Sequence, residues 1–317
     1  MVATLAFLSI FEGYSGEELR AIFMMQGFAG LNLFAIFLLM ALGLAIIFGQ
    51  MKVINMAHGE FLTAGAYTTV FLSDLVTEYL PGALPYYFPI AMLCAFLVAG
   101  AIGFLVEFGM IRFLYKRPLD TLLATWGLSL ILQQVFRLTF GAREDSAVMP
   151  DWLMGSWQVT DMVEIPINGM FMLGMSILMT GIIYLLLYRS RWGLRVRATV
   201  FNRQMAGATG INTKMTDRWT FALGCGIAGI AGAAFTTVGS VSPSAGSLYI
   251  VDTFIVVVFG GAGSLIGTII SAFTIAQAQS ILEFFLSGVL AKVFVLGLVI
   301  VMLMILPQGL VVSKIRR

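Results

Sequence analysis

The stretch that decides the fold is Leu31 to Phe61, "LNLFAIFLLMALGLAIIFGQMKVINMAHGEF". Its first seventeen residues, Leu31–Ile47, are almost wholly apolar. Its last fourteen, from Phe48, carry the only histidine of the chain, His58, with Asn55 and Glu60 beside it and Gly49 and Gly59 around it. An oily run of this length is of membrane grade, because roughly 20 apolar residues span the hydrocarbon core. A lone imidazole and a carboxylate directly after it set the question of what the interruption is for.

Composition extends the membrane reading to the whole chain. Of 317 residues, 60% are hydrophobic and 11% charged, against about 25% charged in an ordinary soluble domain. The apolar residues fall in many separate runs, which makes the fold class all-α and polytopic. The candidate spans are Phe28–Phe48, Phe61–Leu75, Tyr87–Ile111, Leu119–Phe140, Met170–Tyr188, Trp219–Val241, Asp252–Gly260, Ser264–Phe285 and Val289–Leu306. That is about nine membrane-inserted segments. The second and the seventh are short, and each adjoins a glycine-containing break.

Basic residues concentrate on the cytoplasmic side of membrane proteins. Of the 18 Lys and Arg residues, three lie in 112–118, seven in 189–218 and three at the end, Lys314, Arg316 and Arg317. The alternate loops are acidic, with Asp74 and Glu78, then Glu144, Asp145, Asp151, Asp161 and Glu164. The weave places the amino terminus outside and the carboxyl terminus in the cytoplasm. It requires Asp252–Phe285 to make two passes, turning at "GGAGS", Gly260–Ser264. Residues 1–27 read as an outer or interfacial segment, 28–310 as the transmembrane domain and 311–317 as a basic tail. The outer loop 141–168 places Trp152 and Trp157 at the membrane interface or on a surface for an outside partner.

Several chemistries are excluded. No G-x-x-x-x-G-K-[ST] and no Gly-Lys pair occur, so the chain has no P-loop. One histidine cannot form H-E-x-x-H, and no G-x-S-x-G accompanies His58. No catalytic residue and no metal site are expected. Cys94 and Cys225 lie far apart in oily runs and read as buried packing. No cofactor is expected in this chain, and nothing in the charge pattern points to nucleic acid.

Two glycine-bearing interruptions carry a transport reading. Unwound backbone at membrane depth survives only where it is buried in protein or lines a wet cavity, and such broken segments mark substrate pathways. The first interruption offers Gly49, Asn55, His58, Gly59 and Glu60 as pathway residues. The alternative is that the polar trio merely caps the helix that follows, at a turn facing the cytoplasm. The second interruption, Phe259–Gly267, offers Gly260, Gly261 and Gly263. Glu107 and Glu283 stand near span ends and read as solvated. The amides Gln133, Gln134, Gln277 and Gln279 either meet a polar solute or bond neighbouring helices. Within the basic loop 189–218, Ala198–Asn212 has helical spacing, with Phe201, Met205 and Ala208 on one stripe and small residues Ala206, Gly207 and Gly210 around it. It reads as a docking helix for a cytoplasmic partner.

Three stretches carry a resemblance. "GLAIIFGQMKVINMAHGEFLTAGAY" (Gly43–Tyr67) and "YIVDTFIVVVFGGAGSLIGT" (Tyr249–Thr268) resemble the two signatures of permease subunits of bacterial ABC importers for branched-chain amino acids and urea. "RPLDTLLATWGLSLILQQVFRLTFGA" (Arg117–Ala142), followed by "PDWL" (Pro150–Leu153), is more similar to the urea permease than to the amino-acid one. The resemblance implies a second permease subunit, identical or related, two cytoplasmic ATPase subunits, a periplasmic solute-binding protein and alternating access. It places Ala198–Asn212 where the family has its coupling helix, though without the usual glutamate. Urea is the expected solute. A branched-chain amino acid is the alternative, and a self-contained channel or carrier a reading from another class. An intramembrane enzyme is the most distant one.

Overall fold

A computed structural model describes residues 15–311 except 116, 162 and 262. The expectations for residues 1–14, for Lys116 and for the basic tail from 312 onward lie outside the described residues. The helices are α1 (Gly16–Met51), α2 (His58–Tyr79), α3 (Tyr87–Gly109), α4 (Pro118–Phe140), α5 (Ile167–Arg189), α6 (Arg191–Phe201), α7 (Arg203–Ala208), α8 (Thr213–Phe235), α9 (Ala245–Gly260), α10 (Leu265–Phe285) and α11 (Gly288–Ile305). The fold is a polytopic all-α membrane architecture. Among the described residues, seven helices are long and apolar enough to cross a membrane, and α9 is a shorter apolar helix. The count of nine is therefore not confirmed, although each of the nine runs lies within or overlaps a helix. The outer loop also forms a hairpin, β1 (Ser156–Thr160) paired antiparallel with β2 (Val163–Pro166), built from its alternating β-formers.

α1 is the central post. It is 36 residues long, about 54 Å at 1.5 Å per residue. It starts at Gly16 rather than near Phe28 because Ser15 and Glu18 form a capping box: Glu18 N–H donates to Ser15 Oγ at 3.3 Å and Ser15 N–H to Glu18 Oε2 at 2.7 Å. From Phe34 to Ile47 every residue is buried, and a helix hydrophobic all round belongs in the centre of a bundle. α8 lies against it. An ideal Cβ on Gly224 would sit 2.7 Å from the Gly43 carbonyl oxygen, and one on Gly229 2.6 Å from Ala99 Cβ of α3. The small faces of α8 thus let α1 and α3 approach on two sides, the mode by which membrane helices associate. The outward faces of α3, α4, α5 and α11 are apolar and exposed, including Leu93, Leu130, Ile177 and Val301. That surface requires lipid as its solvent.

Candidate functional site

The first interruption is real but shorter than Gly49–Gly59. α1 continues past Gly49 to Met51 and is closed by Lys52 in the left-handed region (φ 55), whose N–H reaches Phe48 O at 2.9 Å. α2 begins at His58. The five residues between are held inside the protein, with Val53, Asn55 and Ala57 buried. His58 is fully buried, and its Nε2 lies 3.2 Å from Met40 O of α1. A carbonyl oxygen only accepts, so Nε2 carries the proton and the ring pins the start of α2 to the middle of α1. Gly43 leaves room for that ring: an ideal Cβ there would lie 3.1 Å from His58 Nε2. Asn55 Oδ1 accepts from Ala57 N–H at 3.2 Å. That bond closes the turn before α2 and does not cap the helix, whose N-cap Ala57 has no side-chain cap, and the turn is buried, not solvated. Gly59 packs on Gly246 of α9, where its ideal Cβ would fall 2.7 Å from the Gly246 carbonyl carbon.

α4 presents a polar stripe to this interruption at four-residue spacing: Thr121, Thr125, Ser129 and Gln133. Thr125 Oγ1 accepts from Met56 N–H at 3.1 Å. Glu60 is buried, and its Oε1 accepts from Ser129 Oγ at 2.9 Å and from Gln133 Nε2 at 2.8 Å. The i, i+4 repeat of hydroxyls and an amide on an otherwise apolar helix was the signal for these partners, and sequence reasoning singled out only Gln133. Asn55 Nδ2, His58 Nδ1 and Glu60 Oε2 are buried without a hydrogen-bond partner among the described residues. Three spare polar atoms at one break are the chemistry of a site that rearranges or takes a polar guest.

The second interruption is the turn between α9 and α10. Gly261 (φ +95) and Gly263 (φ +91) occupy the left-handed region that glycine enters without steric penalty. Gly260 lies on Gly267 across the turn, its ideal Cβ 2.5 Å from Gly267 O. Ser264 caps α10 by accepting from Gly267 N–H at 3.1 Å. The segment after α11 closes over this turn: Leu310 N–H donates to Phe259 O at 2.8 Å and Val311 N–H to Gly260 O at 3.3 Å. The second interruption meets the last turn of α1, just before the first. An ideal Cβ on Gly263 would be 3.6 Å from Gly49 Cα, and Gln50, Gly263, Tyr188 and Arg197 line one cavity of about 30 Å³.

Arg197 belongs to α6, so the basic loop lies at the same end as both breaks. Ala198–Asn212 is not one docking helix. Asn202 leaves the helical conformation and caps α7, accepting from Met205 N–H at 3.0 Å. Phe201, Met205, Gly207, Ala208 and Gly210 are exposed, while Ala206 is buried against the chain itself. α7 is tied to α8 by the Arg203–Asp217 ion pair. Glu107 of α3 is buried, not solvated: Tyr115 OH donates to its Oε1 at 2.6 Å and Arg218 Nε to its Oε2 at 3.1 Å. Burial first, and then the bond to Glu107, push the Tyr115 phenol above its usual range, so it remains a donor. Arg112, Arg117, Arg203, Lys214 and Arg218 line one cavity of about 910 Å³. Two of the three basic clusters thus share a face. Glu283 is exposed, with its Oε1 2.9 Å from Gln279 Nε2. Gln277 bonds Gly27 O at 3.2 Å, the helix-bonding use of an amide.

Residues 27–304 match the family model described as the permease component of branched-chain amino acid transport systems. The chain belongs to this family. The permease is 26% identical over 287 residues to the high-affinity branched-chain amino acid transport system permease protein LivH of Salmonella typhimurium, covering 86% of this chain and 90% of that protein. It is 27% identical over 290 residues to a probable branched-chain amino acid transport permease protein LivH of Methanocaldococcus jannaschii, covering 86% and 87%. It is 26% identical over 285 residues to the permease protein BraD of Pseudomonas aeruginosa, covering 86% and 90%. No solved structure matches the permease.

This permease is thus a multi-pass transport component and not an enzyme. Its family covers both glycine-bearing breaks and the basic loop between them. The urea expectation, which rested on 117–142 and 150–153, is not supported, and the branched-chain alternative is better supported.

Proposed function

We propose that the chain is the translocating subunit of an ABC-type importer that carries a branched-chain amino acid across the inner membrane, with its amino terminus outside and its carboxyl terminus in the cytoplasm. The observation that carries the reading is the seating of the second break on the end of α1 that leads into the first, Gly263 on Gly49, where α6 and α7 also lie. A second permease subunit completes the pathway, a solute-binding protein delivers the solute outside, and two ATPases dock on the exposed Phe201, Met205, Gly207, Ala208 and Gly210. Closure of the ATPases presses on α7. The Arg203–Asp217 pair passes that displacement to α8, and Arg218–Glu107 passes it on to α3. Movement of α8 against α1 and α2 then re-seats the breaks, where Asn55, His58 and Glu60 hold spare polar atoms.

The test is reconstitution in liposomes. With the partner ATPases, binding protein and ATP, the vesicles accumulate radiolabelled leucine and not urea, and the chain alone passes neither. Urea uptake at a comparable rate would restore the urea reading. Flux through the isolated chain would establish a self-contained channel.

A further inference from the structure

One charge pair joins two apolar helices away from both breaks. Lys292 Nζ of α11 donates to Asp252 Oδ2 of α9 at 2.9 Å, with side-chain exposures of 42% and 13%. Lys292 is the fifth residue of α11 and Asp252 the eighth of α9, so they lie about 6 and 10 Å along their helices. Charged groups at membrane depth face a pathway or another protein surface, because acyl chains cannot solvate them. The pair borders a cavity of about 160 Å³ whose other walls include Leu248, Ile255, Ile275, Val293 and Leu296, with the amide of Gln279 at one side.

We infer that Asp252 and Lys292 form a subsite for a zwitterionic solute with an aliphatic side chain. This rests on the transport reading above. An α-amino acid carries one ammonium and one carboxylate on a single carbon. Its carboxylate replaces Asp252 on the Lys292 ammonium, and its ammonium replaces Lys292 on the Asp252 carboxylate. Both protein charges therefore stay paired while the solute is held, and no charge is stranded at depth when it leaves. The branched aliphatic wall takes the side chain by burying apolar area. Urea offers neither charge to this exchange nor any surface for that wall.

The competing role is helix glue, an ion pair that only joins α9 to α11. Single variants confuse the two, because Asp252→Asn or Lys292→Gln leaves one unpaired charge. The double variant D252N/K292Q removes both charges at nearly constant size. In liposomes holding the complete transporter with its ATPases and binding protein, leucine uptake falls by at least about tenfold in the double variant, the scale of one lost charge-assisted contact. Assembly is read by co-purification of the ATPases. A double variant that assembles and transports leucine like the wild type refutes the subsite and leaves the glue. A double variant that no longer assembles refutes it as well, since the pair is then structural. A wild-type complex that moves no leucine refutes the transport reading itself, so the two failures are distinguishable.

Discussion

Replacing Glu107 by Gln tests whether the α3 end of the coupling face is held by a buried charge. Glu107 is 1% exposed and takes two donors, Tyr115 OH at 2.6 Å and Arg218 Nε at 3.1 Å. Glutamine fits the space, but only one of its two terminal atoms accepts. Tyr115 OH can turn to accept from the amide nitrogen, but Arg218 only donates, and with its side chain 19% exposed it loses its counter-charge either way. Removing one member of a fully buried pair costs about 3–5 kcal/mol. The partial exposure of Arg218 lowers the expectation to about 3 kcal/mol, roughly a hundredfold in the folded-to-unfolded ratio. Reversible unfolding of the purified chain in mixed micelles measures it, with Glu107→Gln, Arg218→Met and the double variant forming a cycle. The double variant, which leaves no unpaired charge, recovers part of the loss. A Glu107→Gln protein within about 0.5 kcal/mol of wild type would refute the claim that this carboxylate is charged and needed.

Three further outcomes are expected. Gly207→Arg inserts and folds normally, since a Cβ there meets nothing within 4 Å, but the ATPases no longer co-purify; normal co-purification would remove α7 from the docking surface. His58→Ala retains assembly and slows ATP-driven uptake, because the bond to Met40 O is lost while only a buried ring is deleted; unchanged kinetics would reduce His58 to a packing residue. Gly224→Ala forces α8 away from the Gly43 carbonyl and lowers stability by about 1–3 kcal/mol, and an unaltered melting temperature in detergent would contradict the tight crossing.

The helices were legible wherever the apolar run was long, as in Leu31–Ile47 and Ser264–Phe285, because burial and lipid exposure select the same residues. Ends were less so. α8 starts six residues before Trp219 because Asn212 caps it, accepting from Met215 N–H at 3.1 Å, and a cap is a local polar signal that hydropathy ignores. Asn202 is the same case: the stripe through Phe201 and Met205 concealed a break that the asparagine announces. Glu107–Arg218 and Asp252–Lys292 join residues 111 and 40 positions apart, and only the packed helices bring them together. The interruption at His58 was readable from the sequence, but its burial was not, since that depends on the α4 hydroxyls laid over it.

The closure of the α9–α10 turn by Leu310 and Val311 has a consequence for biogenesis. Those two consecutive N–H groups bond to Phe259 and Gly260 only after α11 has been threaded. During synthesis the glycine turn therefore emerges unclasped. The clasp on this turn can form only once the polypeptide following the eleventh helix folds back over it.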